Sequence, residues 1–169
     1  AYASGLAFHH PDSVVRDLYQ SFSEEGFTSA KVKVGFDSVE ADIARLSLVD
    51  EAMGGTEKLM IDANEAFSPK EAIRRTRAYR DAGFDIFWFE DPTFREEIEG
   101  IQGVIEALPD VHINTGEYVN LEAKYELLEN RAADILNVHG LTAGRRAAIL
   151  SGQTGVPLSF GNTPGDICI

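Results

Sequence analysis

Three carboxylates and two lysines recur at near-equal intervals along this chain of 169 residues. Lys33 to Asp62 is 29 positions, Asp62 to Glu90 is 28, and Glu90 to Glu117 is 27. Lys31 stands two residues before Lys33, Asn64 two after Asp62, and Asn137 and His139 form a similar pair further on. Burying several carboxylates together without counter-charge is prohibitive, and a divalent cation with oxygen ligands is the natural compensation. Oxygen donors with no Cys or His among them favour Mg²⁺ over Zn²⁺, which makes Asp62, Glu90 and Glu117 the candidate metal ligands. Lys33 and His139 can each accept a proton, the lysine once other cations and partial desolvation lower its pKa, the histidine already near neutrality. Taken singly, Asp62 also reads as a turn cap, Lys33 as a solvated edge lysine and His139 as a core histidine bonded to backbone. The repetition favours one shared site.

Such a site needs elements that bring distant residues to one place. Lys58 to Asn64 reads as a buried strand with Leu59, Met60 and Ile61 apolar, after which Asp62 and Asn64 point the same way. Ser29 to Val34 reads as a strand with Lys31 and Lys33 on one face, and Ile86 to Glu90 as an aromatic strand ended by Pro92. Val111 to Glu117, Asp134 to His139 and Pro157 to Phe160 supply three more, and the run Ala1 to Leu6 a first short one. Between them lie helical patterns: from Asp12 to the stop at Gly26, Val39 to Met53, from the cap Ser68 to Gly83, Glu96 to Leu108, Leu121 to Ala132 and Leu141 to Thr154. The clearest boundary is Ser68-Pro69-Lys70-Glu71, with Ser as N-cap, Pro in the first helical position and Glu three residues after the cap.

Regular alternation of strand and helix predicts an α/β protein with a parallel sheet. The repeat per unit is close to the ~31 residues of an eightfold (β/α) TIM-type barrel of ~250 residues, so the expectation is such a barrel with seven strands present, incomplete. No G-x-G-x-x-G or P-loop pattern opens a helix, which argues against a doubly wound nucleotide-binding sheet. In this fold every candidate residue falls at the carboxyl end of its strand, where barrel enzymes place their chemistry.

Composition narrows the partners. Asp plus Glu number 28 against 15 Lys plus Arg, and a net charge of −13 repels nucleic acid and anionic membrane surfaces. The single cysteine, Cys168, excludes an internal disulfide framework and fits a reducing compartment. No run approaches a membrane span and the first residues lack the pattern of a signal peptide, so the expected location is cytoplasmic. The chain begins without Met and stops inside an apparent element, which suggests a segment of a longer protein. Seven strands leave open edges, so a homo-oligomer is expected.

These motifs resemble the enolase superfamily in its mandelate racemase and muconate lactonizing branch. The resemblance rests on Lys31-Val32-Lys33, Asp62-Ala63-Asn64, Glu90-Asp91-Pro92 and Gly116-Glu117, in order and with family spacing across most of the chain. It implies that residues 1–169 are a single, partial C-terminal barrel domain, with the N-terminal capping domain absent. It further implies that Asp62, Glu90 and Glu117 bind Mg²⁺, that the metal holds the carboxylate of a small substrate, and that Lys33 removes the α-proton to give an enolate that Lys31 helps neutralise. Reprotonation would then give racemisation or epimerisation, and loss of a leaving group would give dehydration or cycloisomerisation. His139 stands where the branch commonly has Lys or Asp, and serves as the acid or base on the opposite face; Asn64 and Asn137 are the candidate substrate-binding residues. A second alignment would match Asp134 to the aspartate of mandelate racemase and leave Gly161 where its partner histidine belongs. Strand alternation favours the first, since Asn137 and His139 then face inward and Asp134 away. The alternatives are a metal-dependent barrel lyase or hydrolase of another family, and a non-catalytic fragment that keeps the motifs.

Overall fold

The computed structural model describes residues 1–5 and 10–161, with the side chains of 141–143 left aside, and among the described residues contains seven strands and six helices. The order is β1 (Ala3–Ser4), α1 (Asp12–Glu24), β2 (Ser29–Lys33), α2 (Val39–Met53), β3 (Lys58–Asp62), α3 (Pro69–Asp81), β4 (Ile86–Glu90), α4 (Ile98–Ala107), β5 (His112–Thr115), α5 (Leu121–Glu129), β6 (Ile135–His139), α6 (Leu141–Thr154) and β7 (Leu158–Gly161). Ser38, Ser68 and Asn120 cap α2, α3 and α5 by accepting the backbone N–H three residues on, at 3.2, 3.3 and 2.9 Å. The expectations for Leu6, Cys168 and the last residues, Asp166 to Ile169, lie outside the described residues.

All strands are parallel and pair in sequence order from β1 to β7. The sheet curls, because residues of its two end strands, Ala3 of β1 and Phe160 and Gly161 of β7, line one cavity. This is the expected open (β/α) barrel. Register aligns the strand ends: Lys33 pairs with Asp62, Asp62 with Glu90, and Glu90 with Asn114. One expectation changes in detail. The fifth strand ends at Thr115, two residues short of Glu117, because Gly116 takes φ 103° and turns the chain out of the extended form.

The larger core lies between sheet and helices, with Tyr19, Leu46, Tyr79, Phe89 and Leu136 fully buried. A smaller cluster of Met60, Trp88 and Ile135 packs with Tyr2 and Phe87. These three stand two residues before Asp62, Glu90 and Asn137, on the same strand faces, and so form an apolar floor beneath the strand ends.

Outside the barrel wall, buried Asp42 of α2 joins three elements. It accepts from Gly35 N at 3.0 Å, from Arg75 Nη1 at 2.6 Å and from Tyr79 Oη at 2.5 Å, the last two on α3. Gly35 is obligatory there, since its φ is 97° and a Cβ would meet Phe67 at 2.7 Å. Replacing Asp42 with Ala leaves the buried Tyr79 hydroxyl without its acceptor and takes one of two carboxylates from half-buried Arg75, which keeps Glu71, so the expected loss is about 2 kcal/mol, against about 1 kcal/mol for Tyr79→Phe. Urea unfolding checks both, and an Asp42→Ala midpoint equal to that of the parent would overturn this account.

Candidate active site

Lys31 and Lys33 leave β2 on one face and reach the same carboxylate. Lys31 Nζ lies 2.6 Å from Glu90 Oε1 and 3.1 Å from Asp62 Oδ2, while Lys33 Nζ bonds Asp62 Oδ2 and donates to Asn64 Oδ1 at 2.6 Å. Tyr19 holds the strand in place by donating to the Lys31 carbonyl at 2.6 Å. Burial pushes the Asp62 carboxyl upward, but the two ammonium groups outweigh it and hold it below the usual carboxylate range. Burial depresses Lys31, and Asp62 and Glu90 more than reverse that, so it stays protonated. Glu90 has the opposite balance. Burial and the neighbouring Asp62 charge raise it to about 7, against the pull of Lys31.

On the other side of Glu90, oxygen atoms of Glu90, Asp91 and Glu117 converge within 4.8 Å of one another. His139 Nε2 stands 3.1 Å from Glu117 Oε1, out of hydrogen-bonding line. Gly161 pairs with His139 across β6 and β7, and any Cβ at Gly161 would run into the imidazole ring. Asp134 points elsewhere and accepts from Ile113 N at 2.8 Å, tying β6 to β5, as strand alternation predicts. Lys31, Lys33, Glu90, Glu117, Tyr118 and His139 line one cavity of about 500 Å³. Asp62, fully buried, and Asn64, exposed, are not in its lining but both bond Lys33, and Asn137 is buried with no partner for its side-chain oxygen among the described residues.

Three further residues escaped the reading of the sequence. Asp91 is fully buried; its carboxylate accepts from Thr115 Oγ1 and Arg95 Nε, both at 2.8 Å, and from Gly116 N at 3.3 Å. Burial raises it to about 6 despite Arg95. Arg95 also bonds Glu65 at 2.8 Å and Glu117 at 3.1 Å, and its guanidinium lies 5.2 Å from the centre of the Tyr118 ring. Lys124, on α5, is buried beneath the loop after β5. The acidic dipeptide Glu90-Asp91 was visible as a motif, but nothing in periodicity points Arg95 or Lys124 inward. Asn64, Glu65 and Asp91 all take positive φ, at 45°, 67° and 40°, so backbone strain concentrates where these side chains are aimed.

The arrangement offers proton-bearing groups on two sides of one cavity with a buried acidic group between them. The sequence profile of the family described as Enolase C-terminal domain-like matches residues 13–168. The chain is 32% identical over 140 residues to L-Ala-D/L-Glu epimerase of Bacillus subtilis, covering 82% of this chain and 38% of that protein. It is 36% identical over 135 residues to L-talarate/galactarate dehydratase of Salmonella typhimurium, covering 79% and 33%. Among solved structures, a mandelate racemase candidate from Mesorhizobium loti superposes with TM-score 0.92 at 42% identity over 96% of this chain and 44% of that one. A racemase from Streptomyces coelicolor, solved with bound magnesium, superposes with TM-score 0.83 at 25% identity over 95% and 49%. The chain thus spans less than half the length of these proteins, and it belongs to the enolase C-terminal domain-like family.

Proposed function

We propose that this chain carries the acid–base face of an enzyme that removes the proton α to the carboxylate of a small substrate. The observation that carries the reading is that Lys33 and His139 open on one cavity from β2 and β6, with Glu90 and Glu117 also in its wall. The epimerase and dehydratase relatives support the reaction class.

The donor chemistry fits Mg²⁺. Glu90 and Glu117 present hard oxygen atoms close together, and a carboxylate raised as far as Glu90 lacks sufficient positive charge around it. Asp91 also stands in that cluster, but both of its oxygens already accept hydrogen bonds from Thr115, Gly116 and Arg95. Both oxygens of Asp62 accept as well, from the two lysines and from Asn64 N, so hydrogen bonding does not separate the two. Asp62 is taken as the third ligand because it stands opposite Glu90 at the neighbouring strand end, with Asp91 holding the loop. When bound, the metal would supply charge stabilisation for the substrate carboxylate. Lys33 Nζ, after releasing a proton to solvent, takes the α-proton on one face as the neutral amine, Lys31 as an ammonium offsets the negative charge that develops, and His139 gives or takes a proton on the other. Delivery of a proton by His139 to the face opposite Lys33 inverts the centre; protonation of a leaving group by His139 eliminates it.

Calorimetric titration with Mg²⁺ tests the ligand set. Asp62→Asn, Glu90→Gln and Glu117→Gln should each abolish tight binding and Asp91→Asn should retain it; loss in Asp91→Asn with Asp62→Asn unaffected would move the site onto the cluster of Glu90, Asp91 and Glu117. Since Glu90 must ionise to bind, affinity should rise by roughly tenfold per pH unit as pH climbs from the ordinary carboxylate range toward about 7, then level off. A flat profile across that window would contradict its role as a ligand.

The two-base assignment is tested in the full-length protein carrying these residues. His139→Asn should stop turnover of a chiral carboxylate yet leave Lys33-dependent exchange of its α-proton with deuterated solvent from one enantiomer. Loss of exchange from both enantiomers would sink the assignment. Separate replacement of Lys31 and Lys33 distinguishes this chemistry from a metal-dependent lyase or hydrolase, which has no need of the lysine pair.

A further inference from the structure

Lys124 is 3% exposed, and its ammonium group ends under the site rather than in solvent. Nζ bonds the carbonyl of Gly116 and donates to the carbonyl of Asn137 at 2.8 Å. Gly116 is the turn residue that sets the direction of Glu117, and Asn137 stands two residues before His139 on β6. One buried cation therefore ties the loop carrying Glu117 to the strand carrying His139, whose side chains meet at 3.1 Å. Space-filling alone would suit Leu or Met better, since an ammonium must be desolvated and its long side chain ordered. Among the described residues Lys124 has no carboxylate within ion-pair distance, and burial pulls its pKa down to about 8, so the fold retains it against a cost.

We propose that Lys124 is a positioning residue for the candidate active site, which fixes Glu117 against His139 through the carbonyls of Gly116 and Asn137. The role in metal affinity rests on the function proposed above; the role in placing His139 does not. Loss of such an outer support typically costs roughly 10–100-fold in metal affinity.

The test compares Lys124→Met with Tyr79→Phe, which loosens the remote contact to Asp42, by Mg²⁺ calorimetry, thermal unfolding and the imidazole NMR signals of His139, assigned through His139→Asn. Lys124→Met should weaken Mg²⁺ binding roughly 10–100-fold and displace the His139 signals, while Tyr79→Phe does neither. Unchanged affinity and unchanged His139 signals in Lys124→Met overturn the proposal. If the parent protein binds no Mg²⁺, the ligand assignment fails and the metal-free His139 signals alone decide on Lys124. Should Lys124→Met not fold, Lys124→Gln keeps one donor for one carbonyl; displaced His139 signals in that variant support the proposal and parental ones overturn it.

Discussion

The parallel register from β2 to β4 is the constraint on which the site depends. Lys33 opposite Asp62 and Asp62 opposite Glu90 are neighbours because their strands pair without offset at the ends, despite the shift between Leu59 and Met60 at the other end of β3. Adjacent strands lie about 4.8 Å apart, so buried acidic ends on neighbouring strands must repel. At that spacing, with an effective dielectric near 20, like charges cost about 3 kcal/mol. The lysines of β2 answer that repulsion for Asp62 and in part for Glu90; Arg95 answers it for Asp91 and Glu117. What remains uncompensated falls on Glu90.

The apolar floor and the strained turns serve the same end. Met60, Trp88 and Ile135 exclude water from below, so the charges above them interact in a poorly screened space. Positive φ at Asn64 and Asp91 turns the chain sharply just after the strand ends, which lets Asp91 reach back to Thr115 and Gly116 while Glu90 faces the cavity. Consecutive carboxylates thereby take different work. Glu90 faces the cavity and Asp91 secures the next loop.

Much of this was legible from residue types and spacing. The strands ended where Asp62, Glu90 and His139 do, because buried strands of apolar residues are interrupted only at their polar ends, and Ser68-Pro69 marked a helix start through a side-chain cap that acts within four residues. Long-range facts were not legible. The position of Glu117 past the end of β5 depends on one dihedral at Gly116, and the inward turn of Lys124 depends on the face of α5 that packs against the sheet. A lysine on a short helix otherwise reads as solvent-facing. Likewise Glu65 gave no signal, since its partner Arg95 is 30 residues away and meets it only across two strand ends.

Asp134 and His139 lie at opposite ends of β6. A residue at the entry of β6 and one at its exit differ by a full strand length, about 16 Å at 3.3 Å per residue, so they cannot serve the same cavity. Asp134 satisfies the N–H of Ile113 at the entry end and is consumed as a tie between strands. His139, at the exit, has no hydrogen-bond partner on either ring nitrogen among the described residues and faces a glycine that leaves its ring room. Its half-buried ring stands 3.1 Å from Glu117 at the cavity wall. The cavity is thus walled by residues at or just beyond the carboxyl ends of β2, β4, β5 and β6, and Tyr2, just before β1, and Phe160 of β7 complete it.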